Sequence, residues 1–278
     1  MAGAIRLAAR PQWRLHMALR DSAPTYAAYW LYKLDPTFAR LPADTQQTAR
    51  EEYLAALESR PSSVTLRGVY SLVGFREDAD IMYWVHGVDT DAMQDFAVRL
   101  RQTTLGRYLS AVQMYVGVVA GGRYDPAHLP SFMLGAEPKN YISVYPFVKT
   151  TDWYLLPYDR RRELMAEHGI VGRRFAVARE YQTPSVPSAG RGGSAATATA
   201  PAATETATET GGGVLSNTVD AFGLGDYEFI LANESDDPSE LCRMMEALRA
   251  TEVRRYTKLD VPIFLGRRRT PEEALSML

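Results

Sequence analysis

The chain has 278 residues, 46% of them hydrophobic and 23% charged, a globular composition that excludes a fibrous or fully disordered protein and leaves room for two modest domains. A net charge of −2 with a pI near 6.1 argues against nucleic acid or an anionic membrane surface as the main partner, so any basic site must be local. The single cysteine, Cys242, cannot close an internal disulfide, which fits a reducing cytoplasm, and no apolar run approaches the length of a membrane span.

The first residues carry Arg6, Arg10, Arg14 and Arg20 with no acid before Asp21, a bias shared by organelle transit peptides and by plain basic arms; 1–22 is expected to be a flexible arm. A first domain is expected over 23–125, with strands over 27–34, 64–70 and 80–85, a helix over 44–59 and an amphipathic helix closing on Leu100-Arg101-Gln102-Thr103-Thr104-Leu105-Gly106-Arg107-Tyr108. A connecting loop over 126–138 follows, in which Pro126 and Pro130 bracket His128. A second domain is expected over 139–270, with strands over 141–149, 214–222 and 226–231, and a helix over 159–168 with Gly169 as its C-cap. Its last helix holds Cys242 in register with Leu241 and Met245, as a buried small apolar residue. Between Gln182 and Gly213 the composition collapses to Ala, Thr, Pro, Gly and Ser, so 183–213 reads as a disordered insertion within the second domain.

Laid side by side, the halves repeat. Leu248-Arg249-Ala250-Thr251-Glu252-Val253-Arg254-Arg255-Tyr256 echoes the segment ending at Tyr108, and each copy closes a helix preceded by an aspartate-led strand. Each half runs strand, helix, strand, strand, helix and a final short strand, the ferredoxin-like order, so an α+β protein of two such units is expected.

The chemistry concentrates between Tyr145 and Gly169. Pro146 disfavours helix at Tyr145, so Tyr145-Pro146-Phe147-Val148-Lys149 should be extended, with Tyr145 and Lys149 on one face. Trp153-Tyr154-Leu155-Leu156-Pro157 follows, then a helix that sets His168 on the side of Leu164 and Met165. A histidine on an apolar helix face is usually a satisfied core residue, but a neutral imidazole in an apolar wall also suits a haem iron. Of the other histidines, His16 lies in the basic arm and His86 reads as a strand-end residue. A place in the last helical turn would favour the imidazolium form of His168, so iron would compete with a proton there.

This segment resembles the coproheme decarboxylases, the haem-forming branch of the chlorite dismutase superfamily. It carries tyrosine, proline, a basic residue, Trp-Tyr, proline and a helix with His-Gly in the family's order, and the likeness extends from about Tyr29 to Gly266. Asp125-Pro126-Ala127-His128-Leu129-Pro130-Ser131-Phe132 resembles the stretch that supplies a distal histidine in actinobacterial members. Asn217-Thr218-Val219-Asp220-Ala221-Phe222 and Asp226-Tyr227-Glu228 are also similar to the family.

The resemblance implies tandem ferredoxin-like (dimeric α/β-barrel) domains of the chlorite dismutase-like type, assembled as a homopentamer. It implies ferric coproporphyrin III (coproheme) as both substrate and cofactor, hydrogen peroxide as oxidant and haem b as product, through loss of carbon dioxide from propionates 2 and 4. On this pattern His168 is the proximal iron ligand, His128 helps activate peroxide, Tyr145 carries the radical and Lys149 holds a propionate. Coproporphyrin ferrochelatase would be a transient partner. Chlorite chemistry is disfavoured, because Leu215-Ser216-Asn217-Thr218-Val219 lacks the arginine that branch carries there. Arg254 and Arg255 fit either a propionate contact or a structural role, since Arg107 matches Arg255 in the first half. A haem-binding or haem-delivery protein on the same fold is the alternative, as is a paralogue without haem.

Overall fold

The computed structural model describes residues 23–119, 129–176 and 213–278; the expected arm 1–22, His128 and nearly all of the insertion 183–213 lie outside them. In the first half β1 (Tyr26–Leu34), α1 (Ala43–Glu58), β2 (Val64–Ser71), β3 (Ile81–Gly87), α2 (Thr90–Gln102) and β4 (Leu109–Val118) follow the expected order, with the strands arranged β4-β1-β3-β2. The second half gives β5 (Tyr141–Lys149), a short α3 (Thr151–Leu155), α4 (Tyr158–Arg173), β6 (Leu215–Asp220), β7 (Phe229–Ser235), α5 (Pro238–Arg249), β8 (Thr257–Leu259) and β9 (Phe264–Arg269), arranged β6-β7-β5-β9. α6 (Pro271–Ser276) packs back against the first half.

Both halves are thus ferredoxin-like α+β units, all their strand pairs antiparallel. β2 pairs with β9 and β4 with β6, so the two sheets close on each other as a ring of strands with β8 appended to β5. Closure leaves few unpaired sheet edges. Pro146 is tolerated inside β5 because it falls between the pairing with β9, which ends at Val144, and that with β8, which begins at Val148.

The duplication is visible in single atoms. After α2, Thr103 Oγ1 donates to the Leu100 carbonyl at 2.7 Å; after α5, Thr251 Oγ1 donates to the Leu248 carbonyl at 2.6 Å. A Cβ at Gly106 would sit 1.9 Å from the Leu100 carbonyl oxygen, so the first turn requires glycine, whereas the second repeat carries Arg254 at the matching place.

Side chains on the inner faces of both sheets, among them Tyr29, Trp84, Val144, Ile230 and Phe264, form one core inside the ring. Arg67 of β2 crosses it to reach β7: Nε and Nη2 each lie 2.9 Å from an oxygen of Glu234, and Nη1 donates to the Ala136 carbonyl at 2.9 Å. The two side chains are 7% and 0% exposed, and the guanidinium lies 4.7 Å over the Trp84 ring. Burial pushes the Glu234 carboxyl up and Arg67 pulls it back.

The outer faces differ between repeats. In the first, Trp30, Tyr53, Tyr83, Val85, Phe96 and Leu100 make a continuous core between sheet and helices. In the second, the buried apolar residues split into two small groups, Trp153-Leu164-Val253 and Val214-Leu241-Met244. α4 buries Leu164 alone. A surface helix normally buries a whole apolar stripe, and α4 does not.

Three expectations fail here. Gly169 does not cap α4, which runs on to Arg173: no proline follows, and its conformation stays helical because a glycine stops a helix only where the chain turns left-handed. Cys242 is exposed, because α5 seats Leu241 and Met244 and turns the next residue outward. The aspartate-led strand of the second half also starts later than expected, at Phe229.

Candidate active site

The alternation of β5 sends Ile142 and Val144 into the ring core and Tyr145, Phe147 and Lys149 to the outer face. The shared face expected of Tyr145 and Lys149 is therefore present. Thr150 caps α3, its Oγ1 accepting from Trp153 N–H at 3.4 Å, and this turn brings the Trp153 indole under the lysine. Lys149 Nζ lies 4.4 Å from the Trp153 ring centroid and 5.0 Å from that of Phe147. Glu228 Oε2 anchors the corner, accepting from the Lys149 backbone N–H at 2.7 Å and from the Tyr154 hydroxyl at 2.6 Å. Burial lowers the Lys149 pKa to about 8, with Glu228 opposing the shift.

Tyr145 is 3% exposed, and its oxygen accepts from Asn233 Nδ2 at 3.3 Å. Burial first, then the charge of Asp260, raises its pKa well above that of a free phenol; the Asn233 hydrogen bond and Arg249 oppose this. Asp260 in turn accepts from Arg249 Nη2 at 2.8 Å and Arg254 Nη1 at 2.7 Å, while Arg255 is exposed. Arg254 thus has a structural partner. Sequence reasoning missed Asn233 and Asp260 altogether.

His168 sits within α4, a turn before its end, on the side of Leu164 and Met165. Its Nδ1 is buried with no hydrogen-bond partner among the described residues. Burial, then the nearby charge of Lys149, lowers its pKa to about 4, the reverse of the imidazolium expected from the helix end. Desolvation outweighs the dipole here. In the cofactor-free protein His168 is therefore expected to stay neutral until the pH approaches 4; NMR titration of labelled histidine checks this, and a midpoint near 6.5 would contradict it.

The residues fit a flat tetrapyrrole. Gly169 and Gly172 lie inside α4, where each glycine costs about 1 kcal/mol relative to alanine. Yet a Cβ would meet nothing closer than 3.4 Å at Gly169 and 3.9 Å at Gly172, so no protein neighbour demands them. Among the described residues no three His, Cys, Asp or Glu side chains converge on a bare metal ion, whereas an iron already held by a porphyrin needs from the protein only an axial ligand. His86, by contrast, faces the ring core at 5.0 Å from Phe132, its pKa lowered to about 4 by burial and Arg67. Among the described residues no helix is long and apolar enough to cross a membrane.

The chlorite dismutase family model matches residues 46–187 and 203–269. A coproheme decarboxylase of Mycolicibacterium smegmatis is 34% identical over 222 residues, 80% of this chain and 80% of that protein. One from Staphylococcus saprophyticus is 29% identical over 171 residues, 54% of this chain and 68% of that protein. The structure of a mutant chlorite dismutase from Candidatus Nitrospira defluvii superposes with a TM-score of 0.72 at 19% identity, over 94% of this chain and 98% of that one, which shows the shared fold. By sequence and by fold, the chain belongs to the chlorite dismutase family, on its coproheme decarboxylase branch.

Proposed function

We propose that the chain converts coproheme to haem b by peroxide-dependent oxidative decarboxylation of propionates 2 and 4. The observation that carries this reading is the pairing of α4 with β5 in the second repeat: His168 of α4, neutral and with its Nδ1 unpartnered among the described residues, feels the charge of the half-buried Lys149 of β5, and Tyr145 shares the outer face of that strand. For each propionate the balance is –CH2CH2COO⁻ + H2O2 + H⁺ → –CH=CH2 + CO2 + 2 H2O. The porphyrin iron with peroxide supplies the oxidising power when bound.

The protein supplies ligation, aim and exclusion of water. His168 would hold the iron with a neutral imidazole, one ring nitrogen keeping its hydrogen and the other offering its lone pair. Lys149 accepts the propionate carboxylate in a charge-assisted hydrogen bond, its stem held against Trp153 and Phe147. Tyr145, two positions further along the same face beyond Phe147, is the phenol that gives up a hydrogen atom and then takes one from the propionate β-carbon. His128, outside the described residues, is assigned the proton transfer on peroxide, which its type and an ordinary pKa of about 6.5 suit. A cytoplasmic homopentamer that receives coproheme from coproporphyrin ferrochelatase completes the proposal.

Titration with ferric coproheme tests the ligand set. The parent protein should shift the Soret band to that of an imidazole-ligated ferric porphyrin, and His168→Ala should lose that spectrum until free imidazole is added. Lys149→Met should weaken binding about 10-fold or more, the worth of one charged hydrogen bond. A His168→Ala complex with the parent spectrum would contradict the ligand assignment.

A further inference from the structure

We infer that Asn233 is a positioning residue for Tyr145, its side-chain amide setting the direction of the phenol. The inference rests on the reading of Tyr145 as the reacting group.

The two repeats provide an internal comparison. Tyr26 pairs with Gly87 and Tyr141 with Ser235; Ala28 pairs with Val85 and Ser143 with Asn233; Trp30 pairs with Tyr83 and Tyr145 with Leu231. Trp30 therefore stands where Tyr145 stands, and Val85 where Asn233 stands. In the first repeat both places are apolar and belong to the core between sheet and helices. In the second they carry a phenol and an amide, 3% and 5% exposed and joined by a hydrogen bond.

Burying an amide costs free energy unless it is bonded, and Val85 shows that this fold needs no polar group there. The change at Gly106 follows the same pattern, with Arg254 in the second repeat reaching Asp260, whose charge is felt at Tyr145. The polar set thus occurs only in the second repeat, and it is centred on one phenol.

The hydrogen bond acts in two ways. The amide N–H occupies an acceptor position of the Tyr145 oxygen, which turns the phenol's own O–H away from β7. It also holds the ring against rotation, so the oxygen stays aimed while a propionate is seated beside it.

Asn233→Val, the residue that the first repeat carries at this place, is the variant to test. Decarboxylation is expected to slow about 10- to 100-fold, the usual cost of lost aim, while coproheme affinity stays within about twofold. In coproheme-free protein labelled with 13C at the tyrosine ring carbon bearing oxygen, the Tyr145 resonance, identified by its loss in Tyr145→Phe, should move. Should Asn233→Val fail to fold, Asn233→Asp, which can only accept when ionised, is expected to give the same slowing and to shift that resonance. Turnover within about twofold of the parent, or slowed turnover with an unmoved resonance, overturns the inference while the Tyr145 assignment stands. Undiminished turnover by Tyr145→Phe would instead remove that assignment.

Discussion

Tyr145→Phe is expected to bind coproheme within about twofold of the parent and to lose decarboxylation by on the order of 10³-fold, about 4 kcal/mol of barrier. Phenylalanine keeps the ring that β5 packs on its outer face and removes only the hydroxyl. Asn233 Nδ2 is left without the phenol oxygen it donates to, a cost of about 1–3 kcal/mol that falls on stability rather than on binding. The contrast between intact binding and lost chemistry separates a reacting phenol from a packing tyrosine. Spectrophotometric titration gives the first quantity and product analysis the second; weakened binding in proportion to lost turnover would identify Tyr145 as a wall of the pocket only.

The second large effect lies away from the site. Arg67→Met leaves the Glu234 carboxylate, 0% exposed, without its cation and should destabilise the protein by about 3–5 kcal/mol in denaturant unfolding. The double variant Arg67→Met with Glu234→Leu is expected to recover most of that loss, because a buried apolar pair does not carry the desolvation cost. The ion pair joins β2 of the first repeat to β7 of the second across the ring, and the same guanidinium holds the Ala136 carbonyl on the chain leading from the first repeat to β5. A single variant within about 1 kcal/mol of the parent would show that the pair contributes little to stability.

Much of the fold was legible because its signals are local. The βαββαβ order of each half, the limits of β5 and the matched turns after α2 and α5 follow from alternation, helical spacing and a repeated Leu-Arg-x-Thr motif. Ring closure was not legible, since the β2–β9 and β4–β6 pairings join distant segments and leave no local pattern. Gly169 misled as a helix stop: the usual sign of a C-cap was present, and α4 continued because the chain beyond it keeps right-handed geometry. Cys242 misled by one helical position.

The site was legible in its motif residues and illegible in their supports. Tyr145, Lys149 and His168 stand in one short stretch, so the shared face of Tyr145 and Lys149 and the side of α4 that carries His168 could be read from strand and helix phase. The acid–base state of His168 could not be, because burial and Lys149 are tertiary facts. Glu228, Asn233 and Asp260 reach the site from other strands and loops. A signal for Asn233 did exist: aligning the repeats strand by strand places it opposite Val85, a polar residue where the duplicate needs none. His128 lies outside the described residues, and its assignment stands on the motif.

The central claim is tested most directly by adding hydrogen peroxide stepwise to protein reconstituted anaerobically with ferric coproheme and weighing the extracted porphyrin by mass spectrometry. Two successive losses are expected, each of one carbon dioxide and two hydrogens, ending at haem b. Coproheme recovered unchanged from a complex with the expected bound spectrum would contradict it and leave a protein that binds or delivers the porphyrin without transforming it.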